Sequence, residues 1–322
     1  KDMFYFDVNG ETYCIKPMDC PFNIKIYQTK QRSYKDLPIR YTEIGRVLRN
    51  EKSGELNGLL RVRHITQDDS HIFLTKEQVK EEIAALVKMA KEYYQAFELE
   101  PEFYLSTRPE NFMGEIKDWN EAEKDLEGAL KKEKVKYEIK EKDGAFYGPK
   151  IDIDIKDALG RPWQLATIQL DFQLPQRFEL EYIDSDGKKK TPVMIHAAIF
   201  GAFERFIGII IEHYAGAFPI WLSPVQALVI PVSEEKFGKY AKKVLEKLNI
   251  AGIRAEIDAT NESLGKRIHN GEKQKIPYML IVGEKEMKAE SVAVRHRDKG
   301  DEGMIKLEDF IEKLKKEIGG KK

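Results

Sequence analysis

The stretch from Arg46 to Phe73, RVLRNEKSGELNGLLRVRHITQDDSHIF, constrains the chain more than any other. Two β-prone arms flank the turn-rich SGELNG loop, so it reads as a hairpin, with arms expected at 41–50 and 58–65. Cations stand on both arms, at Arg49, Arg61 and Arg63, and the run Gln67-Asp68-Asp69-Ser70-His71 follows at the far end. Arginine forks match phosphate oxygens and carboxylates in bidentate geometry. Asp69 and His71 are two residues apart, so on a strand they share a face. Such an element suits a polyphosphate on one arm and an amine or a metal on the next strand. By charge alone it also reads as a solvated surface hairpin.

The flanking pattern supplies the rest of a fold. Residues 3–7 and 11–16 read as a hairpin turning at Asn9-Gly10. Pro17 to Pro21 breaks the strand before a helix over 22–30. Thr75 and Gln78 form a capping box, and Val79, Ile83, Leu86, Val87 and Ala90 follow at helical spacing, which predicts a helix ending near Phe97. A strand is expected at 104–106, a helix at 118–133, and strands at 151–155 and 163–172. Residues 178–183 and 191–195 suggest a hairpin around Asp186-Gly187, and a helix after His196 ends near Gly216. Pro219 to Pro224 reads as a linker. Beyond it strands at 225–231, 253–257, 277–282 and 291–295 alternate with helices at 234–249, 262–273 and 307–318. That alternation implies a small α/β domain with a mainly parallel first part. The earlier part, with strands in hairpins, implies an antiparallel sheet.

Several blocks, in order, resemble the class II threonyl-tRNA synthetases. Tyr13-Cys14-Ile15-Lys16-Pro17-Met18-Asp19-Cys20-Pro21 is similar to a block of that catalytic core, Arg49-Asn50-Glu51 to the class II motif 2, and Gly201-Ala202-Phe203-Glu204-Arg205-Phe206 to motif 3. The resemblance covers essentially the whole chain. It implies an α+β catalytic domain on an antiparallel class II sheet over 1–218, then a small α/β anticodon-binding domain over 219–322. The implied activity is formation of threonyl-adenylate from threonine and ATP and its transfer to tRNA(Thr). A non-catalytic synthetase-like RNA-binding or regulatory paralogue is the alternative, and a prolyl- or seryl-type synthetase without zinc is another.

The resemblance also assigns residues. Cys20, His71 and His196 match three zinc ligands, a set that leaves the metal open to substrate; as isolated residues they would read as a buried thiol and structural histidines. Met18, Gln67, Asp69 and Tyr147 match the threonine pocket. Arg49, Glu51, Arg61, Ile65, Lys150, Gln164, Thr167 and Arg205 match the ATP site, with Mg2+ accompanying the nucleotide. Arg49, Arg205 and Gln169 are the expected catalytic set. Gln164 and Gln169 both approach the site in the family, yet on a regular strand residues five apart face opposite sides, so a bulge or kink is expected between them. Asn261, Lys266, Arg267, Glu286, Arg295 and Arg297 match positions that read the anticodon. Leu48, Asn23, Asn57, Ile65 and Ala202 depart from the commonest family residues. Motif 1, which pairs the subunits of the expected homodimer, a histidine assigned to the charging step and the editing domain do not appear, which suggests a fragment.

Composition adds bounds. The chain has 322 residues, 34% of them charged, with a formal net charge of −1, so no global field advertises nucleic acid. The part from 219 onward carries a small basic excess, which favours RNA only weakly. No run of about 18 apolar residues occurs, so no membrane-spanning helix is expected. Cys14 and Cys20 alone make no disulfide framework, and a cytoplasmic location fits.

Overall fold

The structure, a computed structural model, describes residues 3–321. It divides into two compact units, Lys1–Ile210 and Ile211–Lys322.

In the first unit, β1 (Tyr5–Val8) and β2 (Glu11–Cys14) form the expected hairpin. Asn9 and Gly10 close it with φ of 53° and 85°, the positive values that a two-residue primed turn requires. α1 (Cys20–Gln28) begins beside Pro21, whose missing N–H costs nothing in a first helical turn. β3 (Ile39–Leu48) then pairs antiparallel with β4 (His64–Leu74), with Leu48 opposite His64. The second arm of the central hairpin is therefore not 58–65: the strand starts at His64, and 49–63 is a loop. The reason is local. The Arg61 guanidinium bonds the Glu51 carboxylate at 2.7 and 3.0 Å, and Arg63 Nε donates to the Glu51 carbonyl at 2.9 Å. The loop is thus held by its own side chains and by a local backbone bridge between Asn57 and Arg61.

α2 (Val79–Ala96) follows the Thr75–Gln78 capping box, in which the Thr75 N–H donates to Gln78 Oε1 at 3.0 Å. β5 (Glu102–Ser106), α3 (Ile116–Lys132), β6 (Tyr137–Lys140), β7 (Lys150–Lys156), β8 (Pro162–Asp171), α4 (Gln173–Arg177), β9 (Tyr182–Ile183), β10 (Lys189–Lys190), β11 (Val193–Ala198) and α5 (Phe203–His213) complete the unit. The last of these runs across the division between the units. The expected hairpin around Asp186-Gly187 shrinks to the two-residue pair β9–β10. Its supposed second arm is β11, an apolar strand buried along nearly its whole length that joins the main sheet instead. That sheet has the order β3-β4-β11-β8-β7-β5-β6, antiparallel except between β5 and β6. α2 buries Val79, Ile83, Val87 and Ala90, and α3 buries Trp119, Leu126 and Leu130. α1 packs Ile24 and Tyr27 against Phe73 and Met194.

In the second unit, β12 (Ala227–Pro231), α6 (Glu234–Ile250), β13 (Ala255–Ile257), α7 (Leu264–Lys273), β14 (Tyr278–Val282), α8 (Glu284–Lys288), β15 (Ser291–His296), β16 (Gly300–Lys306) and α9 (Leu307–Gly319) build a sheet of order β13-β12-β14-β15-β16. The first three strands are parallel and the last two antiparallel. β12 is buried throughout, as a strand covered on both faces must be. Its Val229 joins Val244, Leu248, Phe310 and Leu314 in one core cluster, while Leu228 and Ile230 join Ile276 and Met279 in a second. α8 and β16 carry no strong periodic signal and lie outside the sequence expectation.

Candidate active site and metal centre

Cys20, His71 and His196 are far apart in sequence, but sheet register brings them together. His196 on β11 lies directly opposite His71 on β4 and Gln169 on β8, and Gln169 lies opposite Lys150 on β7. Cross-strand partners share a face, so one row of the sheet carries His71, His196, Gln169 and Lys150. Cys20, at the start of α1, meets this row: its sulfur and one nitrogen of each histidine all lie within 4.8 Å of one another.

The nitrogens not facing that cluster are already engaged. His196 Nε2 is 2.9 Å from Asp171 Oδ2, with Asp171 fully buried. His71 Nδ1 is 2.9 Å from the Asn23 amide, which also donates to Glu43 at 3.1 Å. His71 Nε2 is buried and has no hydrogen-bond partner among the described residues. A buried, unpartnered ring nitrogen beside a thiol and a second imidazole fits a zinc ion, for which Cys and His are the preferred donors. Burial presses the His71 pKa down to about 3, with His196 adding to the effect. That keeps the ring neutral, as a metal ligand must be. Burial also opposes charge on His196, but Asp171 and Cys20 outweigh it and raise its pKa to about 10, so a metal at this cluster would displace a proton from that ring.

Around this cluster lies a cavity of about 280 Å³. Met18, Gln67, Asp69 and Tyr147 line it, as do Arg49, Thr167 and Gln169. Burial, tempered by the His196 charge, raises the Asp69 pKa to about 6. Tyr147 donates its phenol hydrogen to Gln169 Oε1, and Gln169 Nε2 donates to Thr167 Oγ1 at 3.1 Å. Sequence reasoning passed over Phe146, Leu174, Ala197 and Ala198, which complete the wall. It also passed over Asp171, two residues beyond Gln169 on the same strand face. Hollows of about 390 and 510 Å³ elsewhere in this unit contain no His or Cys.

The expected bulge is present. On β8, Ala166 pairs with Ile153 and Gln164 with Asp154, which leaves Leu165 as an extra residue. With that extra residue Gln164 and Thr167 reach one acceptor, Asp152 Oδ1, at 2.6 and 3.2 Å. Asp152 also binds Lys150 Nζ at 2.7 Å and accepts from Ser106 Oγ at 2.9 Å. This buried carboxylate therefore positions three of the residues matched to the ATP site. The IDIDI alternation signalled a strand but not that one of its aspartates is a hub.

The cations gather on the other side. Arg205 donates from Nε to the Leu60 carbonyl and from Nη1 to the Gln164 carbonyl, both at 2.7 Å, and its guanidinium lies 5.4 Å from the Trp163 ring centre. Its pKa is lowered by burial, then by repulsion from Arg61 and Arg49. Glu51 and Glu55, both bonded to Arg61, offset part of that repulsion, so an anion entering among these guanidiniums would compete with the two carboxylates. Arg49 Nε donates to the Pro17 carbonyl at 3.3 Å. Glu51 and Arg61 are bonded to each other, and Ile65 lies on β4 opposite Val47.

In the second unit, Asn261 and Lys266 are exposed, with Lys266 paired to Glu262 at 2.9 Å. Arg295 pairs with Glu272 at 2.9 Å, and Glu286 accepts from the Gly283 N–H at 2.9 Å. Arg267 and Arg297 are placed differently from the expectation of RNA contact. Arg267 is 4% exposed and donates to the Asp258 and Val232 carbonyls. Arg297 Nη1 donates to the Phe218 and Lys275 carbonyls. Both tie backbone segments together.

Residues 4–214 match the family described as tRNA synthetase class II core domain (G, H, P, S and T), and residues 226–317 match an anticodon binding domain. A threonine–tRNA ligase of Caldanaerobacter subterraneus is 51% identical over all of this chain and half of that protein, and one from Clostridium botulinum is 51% identical over the same shares. The chain spans about half the length of the curated relatives it matches. The crystal structure of the RNA binding domain of threonyl-tRNA synthetase from Cryptosporidium parvum superposes with a TM-score of 0.92 at 41% identity, over 98% of this chain and 79% of that one.

Proposed function

The chain belongs to the class II threonyl-tRNA synthetases, and from that premise we propose that it activates threonine with ATP, accompanied by Mg2+, and transfers the threonyl group to tRNA(Thr). The observation that carries this reading is one cavity shared by Arg49, Asp69 and the Cys20–His196 pair. An amino acid seated on the Cys–His side presents its carboxylate toward the arginine side. Residues 1–218 are the catalytic domain in this reading and residues 219–322 the anticodon-binding domain. The whole protein works as a cytoplasmic homodimer.

Cys20, His71 Nε2 and His196 would hold a zinc ion. When bound, zinc supplies a centre that takes the substrate's amine and side-chain hydroxyl together. Asp69, at the cavity wall, accepts hydrogen bonds from those groups. Tyr147, held by Gln169, closes the pocket on the apolar side. Arg49 stabilises the negative charge that builds on the α-phosphate oxygens as the carboxylate attacks, Arg61 holds the far end of the triphosphate and Arg205 the adenine face. The threonine carboxylate is already ionised, so this step needs no general base. Lys150, Gln164 and Thr167, fixed by Asp152, border the nucleotide, while Ile65 packs on the base. Glu51 reads the adenine amino group with Oε1, since both of its bonds from Arg61 end on Oε2. Asn261, Lys266, Glu286 and Arg295 face the anticodon loop, the single-stranded kind of target that polar side chains read.

Threonine-dependent pyrophosphate exchange, measured without tRNA, tests the reading. Exchange with threonine is the expected result. No exchange with threonine, serine or valine would leave a synthetase-like RNA-binding paralogue in its place.

A further inference from the structure

β4 alternates across the pocket floor. Gln67 and Asp69 line the cavity, so Asp68 between them points to the opposite face. There its carboxylate accepts three consecutive backbone N–H groups: Ile199 at 2.7 Å, Phe200 at 3.0 Å and Gly201 at 2.8 Å. These amides need a partner, because the β4–β11 ladder ends at Ser70 opposite Ala197 and the chain then turns toward α5. The link is reciprocal. Glu204, in the first turn of α5, accepts the Thr66 N–H of β4 at 3.1 Å. The turn has no slack elsewhere. Gly201 has φ of +63°, and a Cβ there would stand 2.1 Å from the Leu165 carbonyl, the bulge residue of β8. Tyr94 of α2 binds the Ile199 carbonyl from below. One turn later comes Arg205, whose two guanidinium bonds end on Leu60 and on Gln164, the residue before the bulge.

We propose that Asp68 is a positioning residue for the nucleotide site: from β4, behind the amino-acid pocket, it fixes the 199–201 turn, and through it the orientation of Arg205 toward ATP. This rests on the reading of the site given above. A carboxylate with two acceptor oxygens serves three adjacent amides, whereas an amide offers one oxygen and turns N–H donors toward the same groups. Reacting groups displaced by about 1 Å lose on the order of 100-fold in rate. Asp68 touches neither substrate, so its effect passes through Arg205.

The test is ATP affinity by calorimetric titration, alongside threonine KM in pyrophosphate exchange, for wild type, Asp68→Asn, Arg205→Ala and the double variant. Asp68→Asn is expected to weaken ATP binding about 10-fold, the loss of one hydrogen bond to a charged group. The threonine KM stays within about twofold. In the Arg205→Ala background Asp68→Asn adds nothing further, because the route is already cut. Additive losses in the double variant, or equal rises in both substrates' constants, would overturn the proposal. Glu204→Gln, which weakens the reciprocal contact and leaves Asp68 in place, is the second variant should Asp68→Asn not fold. It is expected to shift ATP affinity in the same direction by a smaller factor, and no shift would overturn the idea. ATP titration needs no turnover. A wild type that binds ATP but exchanges no pyrophosphate therefore removes the ligase reading while the binding cycle still decides this one. A wild type that binds no ATP removes both.

Discussion

Asp171 Oδ2 lies 2.9 Å from His196 Nε2, with both side chains buried. The contact commits one ring nitrogen of His196 to a carboxylate and leaves the other for the Cys20 side. Carboxylates in this position orient metal-binding histidines, and their loss lowers metal affinity about 10- to 100-fold. Asp171 also accepts from the backbone N–H groups of Gln173 and Leu174 through Oδ1, so α4 and His196 share one anchor. Asp171→Asn keeps an acceptor oxygen for one of these roles only. Zinc release to a chelator should quicken in that variant by about one to two orders of magnitude. His71→Ala should lose the metal outright while its far-UV spectrum stays near wild type. Full zinc by elemental analysis in His71→Ala would remove the Cys20–His71–His196 assignment.

Asp157 offers a test of stability away from the site. Burial alone would raise its pKa, but the Trp163 indole N–H, the Arg161 N–H and guanidinium and the Leu159 N–H all donate to it and bring it down to about 2. A carboxylate whose folded pKa is depressed stabilises fully above its unfolded pKa, near 4, and loses that contribution as pH falls through the folded value. Asp157→Asn should cost about 1–3 kcal/mol at pH 7. The gap in Tm between the two proteins should narrow between about pH 4 and pH 2. A gap that widens on acidification would mean that Asp157 is not held as a carboxylate by these donors.

The helices from Val79 and Glu234 and the β1–β2 hairpin were legible because their patterns are local: a capping box, a 3.6-residue period, an Asn-Gly turn. The bulge at Leu165 was legible for a different reason, since two glutamines five residues apart had to serve one site. What sequence could not carry was partner choice. Alternation in 151–155 marks a strand, but nothing in it distinguishes Asp152, which gathers Ser106, Lys150, Gln164 and Thr167, from Asp154, which binds Lys140. The loop 49–63 was misread as strand from 58 because the Arg61 backbone turns back onto Asn57 instead of pairing across to β3, while the Arg61 and Arg63 side chains hold Glu51. In the same way a matched arginine says nothing of its exposure: Arg267 and Arg297 bind carbonyls.

That difference separates two kinds of arginine in the second unit. Arg295 is half-exposed and paired with Glu272, a surface ion pair worth about 0–1 kcal/mol. Arg295→Ala should leave Tm nearly unchanged, raise the KM for tRNA and spare adenylate formation. Arg267 is buried, with Nε lacking a partner among the described residues and the fork on Val232 and Asp258. Arg267→Ala should lower Tm and weaken tRNA binding only through the loop that carries Asn261. Equal tRNA charging kinetics in wild type and Arg295→Ala would argue against RNA contact there.

Amino-acid choice gives the sharpest contrast. Valine and threonine are nearly isosteric, and a hydrophobic pocket distinguishes them poorly. A pocket built to bind the hydroxyl rejects the analogue lacking it by on the order of 10⁴ or more. The cavity holds the means for this in Cys20, His196 and Asp69, all on its wall. With zinc held as proposed, valine would put a methyl where an oxygen is needed, and buried Asp69 would lose the hydroxyl's hydrogen bond on top of the lost metal contact. Serine keeps the amine and the hydroxyl and loses one methyl contact, worth about 10- to 200-fold in kcat/KM. The two competitors should therefore be rejected very unequally in pyrophosphate exchange at matched ATP and zinc. An editing activity added in trans should remove mischarged serine without altering the exchange ratio, because it acts after adenylation. Asp69→Asn should narrow the threonine-to-valine ratio more than the threonine-to-serine ratio, since serine loses the Asp69 contact along with threonine. A serine ratio as large as the valine ratio would mean that Tyr147 and its neighbours select by shape, and zinc at Cys20, His71 and His196 would then be structural.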